Sequence, residues 1–340
     1  WRQAAVYGHG DQGRWLAIAD PKGEYSTLAE QLGLTTVRLS PGGTTRLNPL
    51  APGPAAEHEP EDKQVLRRAE MCAALVATVL ERPLTQIEDA VMFAAVEELT
   101  RADLIDEPTL VDVSRLVAEP TEDMAARLRR TPADVATETS AVAYGLDKLL
   151  TRSLRGMFDG PSTVPLLWDG PGIVLDLSAV PLDSEALPLV MVAAAGWLQQ
   201  LMACPGPQRV QVLDEAWALL GNRRTYGASN LCITHRASDL VAQADDGTST
   251  AKIAAGLLAD SATKIILRQA PDQLDAAIAH FGLTDPEARI VGQLTRGRAL
   301  WKVGGRTAVV HHGIGPSEAT ICDTDARMAG TARAAEPEAA

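Results

Sequence analysis

The feature that most constrains this chain is the stretch RVQVLDEAWALL at residues 209–220: an apolar-rich strand that runs directly into two carboxylates, Asp214 and Glu215. It does not stand alone. Gly172-Ile173-Val174-Leu175-Asp176-Leu177, Ser229–Thr234 and Thr263–Leu267 read as further short strands, as does Arg14–Ala19 near the start. Helical patterns separate them, at 184–202, near 250–259 and at 272–281. Strands alternating with helices imply an α/β fold with a largely parallel sheet covered on both faces. Open sheets of that kind bind ligands beyond the carboxyl ends of their strands, which is where Asp214 and Glu215 would lie.

A different texture interrupts the α/β pattern. After LNPLAPGPAAEHEPED come helical periodicities over 63–80, 85–100 and 109–117, then 122–130 and 132–154, with Thr85 and Glu88 spaced as a capping box. The expected organisation is therefore an N-terminal part of an α/β core at 1–54, an all-α inserted subdomain at 55–162 and the C-terminal part of the core at 163–325. A disordered tail is expected at 326–340. The last two strands, Ala299–Val303 and Thr307–Val310, are joined by Gly304-Gly305 and read as an antiparallel hairpin at the sheet edge.

Bulk composition narrows the function classes. With 31 Lys and Arg against 44 Asp and Glu, the net charge is −13. That disfavours a broad duplex-coating surface and confines any nucleic-acid contact to a loop or pore. Cys72, Cys204, Cys232 and Cys322 are far apart without C-x-x-C spacing, and read as buried reduced thiols. Adjacent His311 and His312 on a strand would face opposite ways, which argues for structural roles rather than a metal site. The longest apolar run, Leu187–Leu198, is shorter than the ~20 residues a membrane span needs and carries Pro188 and Gly196. Membrane attachment would go through partners.

Two glycine-bearing motifs have competing readings. GHGDQG at 8–13 fits G-x-G-x-x-G, but a helix end precedes it and a strand follows, the reverse of the order a dinucleotide fingerprint requires. It reads as a helix stop and polar loop. Asp20-Pro21-Lys22-Gly23-Glu24-Tyr25 closes the first strand at the same edge as Asp214. It is either a cofactor-binding loop, through Asp20, Lys22 and Glu24, or a tight turn made by Pro and Gly. The Asp214–Glu215 pair is likewise either a magnesium-binding acid followed by a catalytic base, as in P-loop ATPases, or a solvated acidic turn. Thr234-His235-Arg236 ends the next strand, where His235 would sense a γ-phosphate or cap a helix.

DPKGEY with its following helix and strand to LNPL, the helical insertion, VLDEAWALL, THRASDL, and LTRGRAL with its hairpin occur here in one order. Together they resemble the conjugative type IV secretion ATPases, in the HerA and FtsK branch of RecA-like motors, and are most similar to actinobacterial conjugation proteins. The resemblance implies a RecA-like P-loop core and self-assembly into hexamers or smaller oligomers. It also implies ATP and magnesium as cofactors, and other secretion components as partners at the inner face of the membrane. On it, Asp214 would hold magnesium through water, Glu215 would act as base and His235 as sensor. Arg268 or Arg298 would be an arginine acting on a neighbouring subunit's nucleotide, and a direct DNA contact stays open.

The sequence departs from that pattern twice. No G-x-x-x-x-G-K-[ST] occurs in the 340 residues, and the resemblance implies that the chain begins inside the helix after that loop. Only Ala216–Ala228 separate the Asp-Glu strand from the next, a short link for a parallel crossover. A non-catalytic structural subunit of the same fold and a DNA translocase are the rival expectations.

Overall fold

The computed structural model describes residues 14–52, 60–101, 107–164, 170–202, 209–214, 228–234, 261–316 and 318–319. Contacts divide the chain into two compact units, 1–233 and 234–340.

In the first unit, β1 (Trp15–Asp20), β2 (Thr35–Arg38), β3 (Gly172–Asp176), β4 (Arg209–Leu213) and β5 (Ala228–Cys232) form one sheet in the order β2-β3-β1-β4-β5. Every pairing in it is parallel, as expected. All six residues of β1, WLAIAD, are buried, the signature of a central strand covered on both faces. Because β2 and β3 lie to one side of β1 while β4 and β5 lie to the other, the strand order switches between β1 and β4. A crevice opens at such a switch point, at the carboxyl ends of the strands.

One helix, α1 (Ser26–Leu32), leads from β1 towards β2. The helical run between β2 and β3 comprises α2 (Glu61–Leu80), α3 (Gln86–Arg101), α4 (Leu110–Ala118), α5 (Glu122–Arg127), α6 (Pro132–Glu138) and α7 (Ser140–Lys148), ending in a π-turn at Leu149–Ser153. Two expected helices are shorter than their periodicity suggests. The 122–130 pattern stops at Arg127, and Arg129 has a left-handed φ of 55°. The 132–154 pattern breaks at buried Thr139, whose hydroxyl donates to the Val135 carbonyl at 2.8 Å and competes with the helical ladder.

The apolar run 187–198 lies in α8 (Ala186–Met202) and is buried in the core from Leu189 to Leu198. Pro188 sits in its first turn, where a missing N–H costs nothing. Gly196 is a contact point: a Cβ there would overlap the Met71 methyl of α2. Through α8 the helical layer and one face of the sheet share a single core, from Trp15, Ala17 and Ala19 to Cys72, Leu75, Met92 and Trp197. No helix among the described residues is long and apolar enough to cross a membrane.

The two chain segments flanking the helical layer are clasped together. Gly42 and Leu47 donate backbone N–H groups to Arg155 and Met157, each at 2.8 Å, and Thr163 N–H donates to the Arg46 carbonyl at 3.0 Å. Arg46 pairs with Asp159 at 2.8 Å. Asn48, fully buried, donates through Nδ2 to Pro108 O at 3.0 Å and accepts from Leu50 N–H at 3.0 Å. At the crossing, a Cβ on Gly156 would lie 2.4 Å from the Gly43 nitrogen, so only glycine fits.

The second unit contains β6 (Thr263–Ile266), α9 (Pro271–Phe281), α10 (Asp285–Gln293), β7 (Arg298–Val303) and β8 (Arg306–His311). Here the sequence expectation is corrected. β6 belongs to a separate antiparallel sheet, β6-β7-β8, and the hairpin lies in that sheet too, not on the edge of the parallel one. The reason is visible in TKII, where only Ile266 is buried; a strand with one buried side chain cannot serve as a doubly covered parallel strand. Helix α10 was not anticipated, although Thr284 and Glu287 form a capping box that announces it.

One carboxylate in each unit gains from its neighbours at neutral pH. Glu88 accepts both Arg82 Nη groups at 2.7 and 2.8 Å and Thr85 N–H at 2.8 Å, realising the expected capping box. The Arg82 bonds, ahead of the Thr85 bonds, hold its pKa down at about 2 from an ordinary 4.5. Glu287 accepts Thr284 N–H, Lys302 Nζ and Thr307 Oγ1 and is likewise held at about 2, chiefly by the backbone donor. A depressed folded pKa stabilises above the unfolded value and is lost as pH falls through the folded one. Stability is therefore expected to decline from pH 4.5 towards 2. Glu88→Gln should cost about 2 kcal/mol at pH 7 and almost nothing near pH 2, read from urea midpoints at the two pH values.

Candidate functional site

Three aspartates end three adjacent strands at the carboxyl edge of the parallel sheet. The register sets Asp20 opposite Asp176 and Ala19 opposite Leu213, so Asp214 stands beside Asp20 across the switch point. Asp20 and Asp214 are almost completely buried, at 1% and 5% exposure. Partners in parallel register share a face, so the three carboxylates leave the sheet on the same side.

Asp20 spends its carboxylate on its own loop. Oδ1 accepts N–H bonds from Lys22, Gly23 and Glu24 at 3.3, 2.8 and 3.1 Å, and Oδ2 accepts from Tyr25 at 3.0 Å. The DPKGEY segment is thereby wound around one side chain, with Gly23 at φ 73°. A Cβ on Gly23 would press on Ser178 at 3.1 Å, so the loop can approach the β3 end only through glycine. Burial outweighs the Tyr25, Glu24 and Gly23 donors and, with the charge of Asp176, raises the Asp20 pKa. This is the turn-building role weighed for the motif. It orients half-buried Lys22 and Glu24 at the sheet edge without the Asp20 carboxylate itself being available to a ligand.

Asp176 and Tyr25 were not among the sequence candidates. Asp176 accepts from Ser178 N at 3.0 Å and Ser178 Oγ at 2.6 Å, and faces Arg38 Nε at 3.6 Å. The signal was present, since GIVLD also closes a strand on an aspartate. The Tyr25 phenol is held protonated: burial first, then the charges of Asp214, Asp20 and Glu24, push its pKa above the ordinary value. It lies within electrostatic reach of Asp214. The chemistry available at this edge is that of hard oxygen ligands and fixed backbone donors.

Glu215 and His235 lie outside the described residues, as do GHGDQG, the expected helix near 250–259, Cys204, Cys322 and the tail. Next to Asp214, β4 and β5 continue as parallel neighbours, with Ile233 N–H donating to Leu213 O at 3.0 Å. Arg268 and Arg298 are exposed residues of the second unit. His312 is structural, as expected, accepting from Trp301 Nε1 at 3.0 Å and stacking on its ring. No group of three metal-ligating side chains suited to an ion occurs among the described residues. Cys72 is buried as expected, whereas Cys232 is exposed, because β5 ends the sheet order.

No protein-family model matches the chain, and no curated protein matches it. Solved structures do. VirB4 of Thermoanaerobacter pseudethanolicus superposes with a TM-score of 0.67 at 18% identity, covering 90% of this chain and 83% of that one. The plasmid coupling protein TrwB matches at 14% identity, with a TM-score of 0.47 in its complex with a GTP analogue (90% and 86% covered) and 0.48 with ADP and Mg2+ (89% and 85% covered). The TrwB scores are too low to add to the VirB4 match. The chain thus shares the fold of VirB4, the RecA-like arrangement that its ordered motifs led one to expect.

Proposed function

We propose that this chain is an ATP-hydrolysing motor subunit of a conjugative type IV secretion apparatus. The observation that carries the reading is the position of Asp214, buried at the carboxyl end of β4 and beside β1 at the switch point of a VirB4-like sheet. Asp214 would hold magnesium, and the oxygen-rich, acidic strand ends suit that cation. Magnesium, when bound, neutralises charge on the transferred phosphate. Glu215 would take the proton from the attacking water, and His235 would sense the γ-phosphate. Arg268 or Arg298 stabilises phosphate charge from a neighbouring copy. The subunit assembles with copies of itself and is held at the cytoplasmic face of the membrane by other secretion components.

The 340 residues contain no phosphate loop, and the test turns on it. Magnesium-dependent ATP hydrolysis is measured for this chain beside a version extended by ~40 residues of upstream reading frame, enough for a strand and a loop. Turnover confined to the extended version is the expected result. Silence in both folded proteins would overturn the motor reading and favour a structural subunit.

A further inference from the structure

Residues 81–85 join α2 to α3, and Arg101 at the end of α3 bonds Asp62 at the start of α2 at 3.1 Å, so the two helices run antiparallel. Between them lies an open groove of about 390 Å³. Ala73, Ala74 and Ala77 of α2 line one side, and Leu84, Gln86 and Asp89 the other.

Two exposed apolar side chains prolong that lining. Leu66, 50% exposed, stands two turns before Ala73 on the same stripe of α2, and Phe93, 37% exposed, stands one turn past Asp89 on α3. The solvent-facing stripe of a surface helix is ordinarily polar. On α2 it carries Leu66, Ala73 and Ala77 instead.

Carboxylates border this strip. Glu70, Glu81 and Asp89 are exposed and, among the described residues, form no ion pair or side-chain hydrogen bond. The cations of both helices and their turn lie elsewhere or are taken. Arg82 is held by Glu88, and Arg101 by Glu61, Asp62 and Glu97. Arg68 is buried against Leu50 O and Thr100, and Arg67 is engaged. Exposed Lys63 sits two turns before Glu70, at the end of α2 away from Ala77. The groove is thus an apolar floor among three unneutralised negative charges.

An open groove does not enclose a small molecule, which binds in concave sites that bury most of its surface. It matches a third helix. Alanines let the axis of a packing helix approach to about 8 Å, and a helix laid in a groove presents its anchors at steps of three and four residues. The strip from Leu66 to Ala77 spans about 17 Å, roughly three turns of such a helix. The bordering carboxylates select its flanks, since cations there find partners and acidic flanks are repelled. We propose that the α2–α3 groove docks an amphipathic α-helix of a partner protein, apolar on its buried face and bearing lysine or arginine on both flanks. The proposal rests on the helical layer alone and is independent of the ATPase reading.

The test uses the 340-residue chain and a fluorescein-labelled amphipathic peptide of about 18 residues, built from Leu, Ala and Lys and read by anisotropy. Ala73→Gln with Ala77→Gln fills the floor with polar bulk and should weaken binding about 10-fold or more. Glu70→Gln, Glu81→Gln and Asp89→Asn together, at exposed positions that tolerate change, should weaken it about 5-fold at low salt and much less near 0.5 M salt. Removing three carboxylates elsewhere, by Glu119→Gln, Glu122→Gln and Asp275→Asn, should leave binding within about 2-fold. A peptide of the same composition with its apolar stripe scrambled should not bind. Thermal melts confirm that each variant folds. No binding by the wild-type chain, equal binding of the scrambled peptide, unchanged affinity in the floor variant or an equal loss in the control variant would overturn the proposal. So would self-association of the wild-type chain that the floor variant abolishes, which would give the groove to a second copy.

Discussion

Glu215→Gln should slow ATP hydrolysis by ~10²-fold or more in the form of the protein that turns over, while leaving nucleotide affinity nearly intact. The amide keeps the shape of the side chain and loses only the capacity to take a proton from water. Asp214→Asn should fail differently. On the proposed reading it removes the charge that would anchor the cation, so the magnesium concentration for half-maximal rate should rise by about 10-fold along with a fall in kcat. The β4 pairings run through the backbone of Arg209–Leu213 and do not use the Asp214 side chain, so the near-isosteric variant should keep them. The two variants therefore separate base from metal anchor. Wild-type turnover in Glu215→Gln would remove the base assignment, and an unchanged magnesium requirement in Asp214→Asn would remove the anchor.

The second large effect concerns stability. Asp20→Ala strips the acceptor from four backbone N–H groups at once, and the loop has no replacement for it. An unpaired, part-buried donor costs about 1–3 kcal/mol, and some of these four regain water, so a loss of about 3 kcal/mol is expected from the urea midpoint. Asp20→Asn is the informative comparison. Because the Asp20 pKa is raised in the folded chain, its ionised form is less stable there than in the unfolded chain at neutral pH. Stability linked to this group is present at low pH and lost as pH rises through the folded pKa. Asparagine keeps one acceptor oxygen and removes the buried charge, so it should stay within about 1 kcal/mol of wild type. Equal losses in both variants would show that the charge, not the acceptor geometry, holds the loop.

What the sequence revealed follows from how local each signal is. WLAIAD announces a buried strand because every residue fills a covered position, RVQVL is buried at Arg209, Gln211 and Val212, and their parallel pairing follows from the helices between them. LDE places Asp214 at the strand end by counting alone. The misplacement of TKII has the opposite cause: its partner β7 is more than thirty residues later, and an antiparallel pairing of that separation leaves no local pattern. Thr139 broke an expected helix because a single hydroxyl competed with the backbone, an effect that hydrophobic periodicity does not register. DPKGEY left Asp20 open between a cofactor-binding loop and a tight turn, and in the fold the side chain serves four amides of its own loop. Which of the two an aspartate does depends on where the following N–H groups point, and that is a property of the folded turn.

The clasp that joins residues 42–48 to 155–163 has an evolutionary consequence. Chain enters and leaves the helical layer at one place, so helices distant from it can change length without altering the spacing between β2 and β3. Latitude of that kind is open to α4, α5 and α6. It is closed to the face of α2 that meets Gly196, where even one added carbon overlaps Met71. Divergent descendants of this chain should therefore differ most in the middle of the helical run, while Gly43, Asn48 and Gly156 persist as the fixed frame within which that divergence is permitted.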